Sequence, residues 1–89
     1  MTVQIQKVDA VATGPTPIDF GGASQVLIRA FTNNVRLASS IADLQTDYFT
    51  IVAGERPISI NTSAQRIYLL GDGGTSKVEV LLAIPYGDE

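Results

Sequence analysis

Few residues in this chain can do acid–base or nucleophilic chemistry near neutral pH. Its 89 residues include no histidine, no cysteine and no tryptophan. That removes the usual general base, and with it thiolate and Ser–His nucleophiles. It also removes the His and Cys ligands of a small-sandwich copper centre. What is left is a set of carboxylates: Asp43, Asp47, Glu55, Asp72 and Glu79. Two carboxylates flanking a scissile bond can act as acid and nucleophile. These five fall in expected loops or on outward strand positions, where a carboxylate is ordinarily solvated charge. The expectation is a protein that is not an enzyme, with no catalytic residue and no cofactor.

Metal and phosphate chemistry fare no better. Gly71-Asp72-Gly73-Gly74 is glycine-rich around one acid. It lacks the spaced acidic positions and distal Glu of a calcium loop. It also lacks the Gly-Lys-Ser/Thr that precedes a helix in a phosphate loop. It reads as a flexible tip between strands. Asp43 and Asp47, with nearby carbonyls, would make at most a weak Ca²⁺ site, so no metal site is expected. The aromatic residues are Phe20, Phe31, Tyr48, Phe49, Tyr68 and Tyr86. Tyr48 and Tyr68 are the two that would stack on a sugar, although packing against a subunit is the stronger reading of both.

The elements that carry these residues are short and alternate with period two. Strands are expected over Val3–Val8, Thr16–Phe20, Gln25–Phe31, Val35–Ser39, Tyr48–Val52, Pro57–Asn61, Arg66–Leu70 and Lys77–Ile84, separated by Gly, Pro, Asn and Ser. Seven or eight strands at this spacing define an all-β, two-sheet antiparallel β-sandwich, either jelly-roll-like or immunoglobulin-like. Ile41–Leu44 suits either one helical turn or an irregular loop. Three hairpins are expected by parity. Asn33-Asn34 in a type I′ turn folds Gln25–Phe31 onto Val35–Ser39. Ala53–Arg56 pairs Ile51 with Ile58, and Gly71–Ser76 pairs Leu70 with Lys77. The inward set is then Val3, Ile5, Val26, Ile28, Val35, Leu37, Phe49, Ile51, Ile58, Ile60, Ile67, Leu69, Val78, Val80 and Leu82.

The opposite faces are less polar than a free surface should be. Tyr68, Leu70, Leu81 and Ala83 fall outward on the last two strands, and Phe31 and Leu27 fall outward on theirs. These six are the candidate interface residues. The composition agrees: 45% of residues are hydrophobic and only 17% charged, which for so small a domain implies that some surface is covered in use.

The chain is one domain, 1–89, with 1–22 as a candidate N-terminal arm and 85–89 as an expected mobile tail. A domain this size buries roughly 60–65% of its extended-chain surface, and no disulfide reinforces its thin core. The net charge is −3, and the six basic residues are scattered singly. Duplex binding needs a basic face, so no nucleic-acid partner is expected. No 18-residue apolar run is present, so no membrane span is expected. Met1–Lys7 lacks the charged start and apolar centre of a secretory signal.

One ordered series of pieces carries a likeness. Asn34-Val35-Arg36-Leu37-Ala38 is followed by Asp47-Tyr48-Phe49-Thr50-Ile51 and Ala53-Gly54-Glu55, then Arg66-Ile67-Tyr68-Leu69-Leu70 and Val78-Glu79-Val80-Leu81. From Gln25 to Ala83 the pattern resembles small β-sandwich structural proteins of tailed-bacteriophage virions, of the capsid decoration or cement type. The resemblance implies a non-enzymatic subunit on the capsid exterior. Its implied partners are the major capsid protein, itself in a homotrimer, or both. A neck, tail or baseplate component is the alternative, and a carbohydrate-binding host-attachment module is a further one. The resemblance transfers no functional residue.

Overall fold

The structure is a computed structural model and describes residues 2–20, 23–61 and 66–84. Among these residues the strands are β1 (Thr2–Ala10), β2 (Thr16–Asp19), β3 (Gln25–Ala30), β4 (Val35–Ala38), β5 (Phe49–Ile51), β6 (Ile58–Asn61), β7 (Arg66–Gly71) and β8 (Ser76–Ile84). Each falls where β-branched and apolar residues alternate between turn-forming clusters. Ala42–Leu44, in the connection between β4 and β5, forms a 3-10 turn.

The strands make two four-stranded sheets, ordered β1-β8-β3-β6 and β2-β7-β4-β5. All pairings are antiparallel. β1 pairs with β8, β2 with β7, β3 with β6 and β4 with β5, so the chain behaves as one long hairpin whose successive rungs lie in alternate sheets. Pairing of β3 with β8 and of β4 with β7 closes each sheet. This is the jelly roll, an eight-stranded double Greek key. The immunoglobulin-like order is not adopted.

The three expected hairpins do not form. The strands of each lie in different sheets: β3 and β4, β5 and β6, β7 and β8. A type I′ turn at Asn33-Asn34 needs positive φ at both residues, and no described residue other than glycine has positive φ. Here β3 runs past the end of β8, and Ser76 and Thr75 hold the chain as it crosses. Ser76 Oγ accepts from the Thr32 and Asn33 amides at 3.3 and 3.1 Å. Asn33 Nδ2 donates to Thr75 O at 2.8 Å. At Ala53-Gly54 a tight turn does form, with Gly54 at φ 79 and Glu55 N donating to Val52 O. That is the type II geometry, which places glycine third. The turn carries the chain from one sheet to the other instead of back along its own.

The core lies between the sheets. Of the expected inward set, Val26, Ile28, Val35, Ile51, Ile67, Leu69, Val78, Val80 and Leu82 are buried, and Leu37, Ile58 and Ile60 are half-buried against them. Ala10, Ile18, Phe20, Ala23, Ala30 and Ile84 complete the cluster. Each fully buried large aliphatic side chain contributes about 1.5–3 kcal/mol before entropy is subtracted. Three residues expected inside are outside: Val3, Ile5 and Phe49 are 53%, 64% and 57% exposed. Phe49 sits at the start of β5, an edge strand of three residues. Val3 and Ile5 follow from the register of β1, described below.

Candidate functional site

Strand β1 changes its apolar parity halfway along. In Val8 and Ala10 the apolar side chains fall on even positions, while in Val3 and Ile5 they fall on odd ones. The register with β8 is nevertheless continuous from Thr2↔Ile84 to Ala10↔Ser76. A regular strand presents one parity to each face. Val8 packs against the core and Ala10 is fully buried. Lys7 reaches Glu79 on the outer face, 3.7 Å away. Val3 and Ile5 are therefore turned outward, and Gln4 and Gln6 take the inner side at the rim of the sandwich.

The outward residues of neighbouring strands continue this apolar surface. Ile5 lies beside Leu81, and Leu81 beside Leu27. Val3 lies beside Ala83 in the next row. Leu27 and Leu81 are half-buried and Ala83 is buried at 7% exposure. A shallow groove lined by Ile5, Leu27, Leu81 and Pro57 runs over this face and ends at Lys7, Arg29 and Glu79. There Glu79 sits between two cations. Arg29 Nε and Nη2 both approach its Oε1 at 3.0 Å, and Lys7 approaches Oε2. The outer face of the β1-β8-β3-β6 sheet is thus apolar at one end and charge-paired at the other.

The six candidate interface residues divide three ways. Leu27, Leu81 and Ala83 share this face. Phe31 lies just beyond the end of β3, 43% exposed, with the Arg29 guanidinium 4.6 Å from its ring centre. Tyr68 and Leu70 lie on the outer face of the other sheet, and there Leu70 is already covered. The 3-10 turn lays Leu44, 1% exposed, against Leu70 and Ala38, with Tyr68 packed alongside. Ser40 Oγ accepts from Asp43 N at the start of this turn, and Arg36 Nη1 donates to Leu44 O at its end. Arg36 also stacks on Tyr48 at 4.4 Å and approaches Asp72 at 3.4 Å. Tyr48 therefore already has its cation partner within the chain.

The sequence pointed to Leu27, Leu81 and Ala83 but missed Val3 and Ile5, which complete the patch. The signal for them was the parity switch between Ile5 and Val8. The segment set apart as an arm supplies β1 and β2 of the two sheets. The expected tail, 85–89, lies outside the described residues. The five carboxylates are dispersed. Asp72 and Glu79 are ion-paired, Asp43 lies in the 3-10 turn, and no three acidic residues gather as metal ligands among the described residues. Asp19 accepts from Arg66 Nε at 2.6 Å across β2 and β7. That bond raises the Arg66 guanidinium above its ordinary pKa. No described helix is long and apolar enough to cross a membrane.

Fold and face together define an all-β jelly-roll sandwich with an apolar patch on the outside of one sheet. Comparison with protein-family models, with curated proteins and with solved structures finds no match.

Proposed function

We propose that this chain is a non-enzymatic structural subunit of a tailed-phage virion, a capsid decoration or cement protein that seats on the major capsid protein. One observation carries the reading. Val3 and Ile5 are held outward beside Leu27, Leu81 and Ala83, forming an apolar surface that a free domain of this size has reason to cover. The charge-paired row Lys7–Glu79–Arg29 bounds the patch and would form the polar rim of a docked surface. The jelly roll is an architecture shared by viral capsid and lectin domains. That is a fold-level analogy, and a fold by itself assigns no function. Many copies on one shell would let a modest patch act with high avidity.

The experiment is to count the chain in purified virions by quantitative gel densitometry and to repeat the count with Leu81→Asp. Decoration gives hundreds of copies that scale with the shell protein, and the variant drops out of the particle. A count of a few to a few dozen assigns the chain to the neck, tail or baseplate instead. Absence from the particle, or wild-type incorporation of Leu81→Asp, refutes the reading.

A further inference from the structure

We infer that β1 is a self-pairing edge: two copies of this chain join antiparallel along β1, with Ile5 on the two-fold axis, to make one continuous eight-stranded sheet. The argument starts from the hydrogen-bond ladder. In an antiparallel sheet, successive residues of a strand bond alternately to the neighbour on either side. Phe31 N donates to Lys77 O at 3.0 Å, so the odd residues of β8 bond towards β3 and the even ones towards β1. Through the β1–β8 register, the even residues of β1 use those bonds. Val3, Ile5, Lys7 and Asp9 then turn their backbone N–H and C=O groups to the open side, where β1 is the last strand of its sheet among the described residues.

An open edge of this kind is a template for another extended strand. Natural edges are usually blocked by charge, proline or a bulge. Of the paired segment Val3–Lys7 only Lys7 is charged, and its ammonium lies back against Glu79 at 3.7 Å; the segment has no proline and its pairing is regular. The side chains indicate which strand fits. Val3-Gln4-Ile5-Gln6 is symmetric about Ile5 in its glutamines. Antiparallel pairing centred on Ile5 sets each Gln4 opposite the second copy's Gln6, amide to amide, on one face. On the other face, Ile5 meets the second copy's Ile5, and the row Leu27–Leu81–Ile5 continues without a break into its copy. Val3 falls opposite the second copy's Lys7, and no like charges face each other. The three backbone pairs, at positions 3, 5 and 7, supply about six main-chain hydrogen bonds.

This pairing does not depend on the virion reading, because it is a property of the isolated chain. It replaces the three-fold assembly implied by the family resemblance with a two-fold one. The test uses the full chain in solution. Sedimentation equilibrium should show a concentration-dependent species of twice the 9.4 kDa chain mass. Ile5→Lys, which puts two cations on the axis, should weaken association at least tenfold while the diluted monomer melts as the parent does. The chain has no cysteine, so single substitutions read the register directly. Cα atoms of a hydrogen-bonded antiparallel pair lie about 5.5 Å apart, within disulfide range. Ile5→Cys should therefore cross-link under mild oxidation. Val3→Cys should not, its copies being offset by about 14 Å along the strands. A monomer up to millimolar concentration, a trimer, or equal cross-linking at both positions overturns the proposal.

Discussion

Removing one hydroxyl tests whether the crossing between sheets is specified as described. Ser76 is fully buried, the one buried polar side chain among the described residues. Its Oγ accepts the Thr32 and Asn33 amides just where β3 leaves its sheet. Ser76→Ala removes the acceptor and leaves a small void. Thr32 is exposed and its amide can turn to water, whereas Asn33 is half-buried. One partly desolvated amide is thus left unpaired, which costs about 1–3 kcal/mol. In a domain of this length each kcal/mol shifts Tm by about 4–8 °C, so Tm should fall by about 4–24 °C. The assay is calorimetry with parallel urea denaturation at unchanged slope. Amide exchange at Thr32 and Asn33 should accelerate more than at Val26 or Leu82. Control variant Asn33→Ala, which loses only the exposed bond to Thr75 O, should cost less than Ser76→Ala. A loss under about 0.5 kcal/mol for Ser76→Ala, the range of an ordinary surface substitution, would refute the reasoning.

Other perturbations test other parts of the fold. Ile28→Ala, at 0% exposure, should cost about 2–5 kcal/mol in urea unfolding, while Ile5→Ala in the diluted monomer should cost less than about 1 kcal/mol; equal losses would put Ile5 back in the core. At Gly71 an added Cβ would collide with the Gly74 carbonyl oxygen and lie 2.7 Å from Ala10 O. Both obstacles are backbone, so Gly71→Ala should lose about 2–4 kcal/mol by thermal melt. Glu79→Gln leaves Lys7 and Arg29 without their shared anion; on this partly exposed face the cost should be about 0.5–1 kcal/mol at low salt and shrink in 1 M salt.

Strand positions and most faces were legible because alternation is local: Ile28 and Val80 announce their burial through their own neighbours. Pairing was not legible. Period two states which side of a strand faces inward but not which strand lies beside it, and in a sandwich both sheets turn inward to the same core. Val35 and Leu37 have the same parity whether β4 returns along β3 or crosses to the other sheet. The deciding features were a missing positive φ at Asn33-Asn34 and a serine more than forty residues away in sequence. Apolar residues outside alternating runs were also silent. Leu44 is almost fully buried from an irregular position, and only tertiary packing reveals it. For the candidate surface, Leu27, Leu81 and Ala83 were readable as apolar residues on the wrong parity. Val3 and Ile5 were not, because their own run looks like any half-buried strand until its register is set by Val8 and Ala10.

That conflict within β1 has a direct consequence. A single-residue slip of the strand would bury Val3 and Ile5, but it would also drive Lys7 and Asp9 inward, and two poorly paired charges cost far more than two aliphatics gain. One extra residue between the two halves resolves the conflict, since in a ladder kept regular it moves every side chain that precedes it to the opposite face. Inserting a glycine between Gln6 and Lys7 should therefore turn Val3 and Ile5 towards the inner side and the glutamines outward. Their gain at the rim of the sandwich is partial, roughly 1–2 kcal/mol, close to the roughly 0.5–1 kcal/mol that a glycine inside a strand costs. The insertion variant should melt close to the parent. It should also lose self-association at least tenfold, because its open edge no longer presents Ile5 beside Leu81. Melting far below the parent would mean that the N-terminal half of β1 is held by something other than the register of its C-terminal half. Unchanged association would mean that the outward Val3 and Ile5 are not what brings a second chain to this edge.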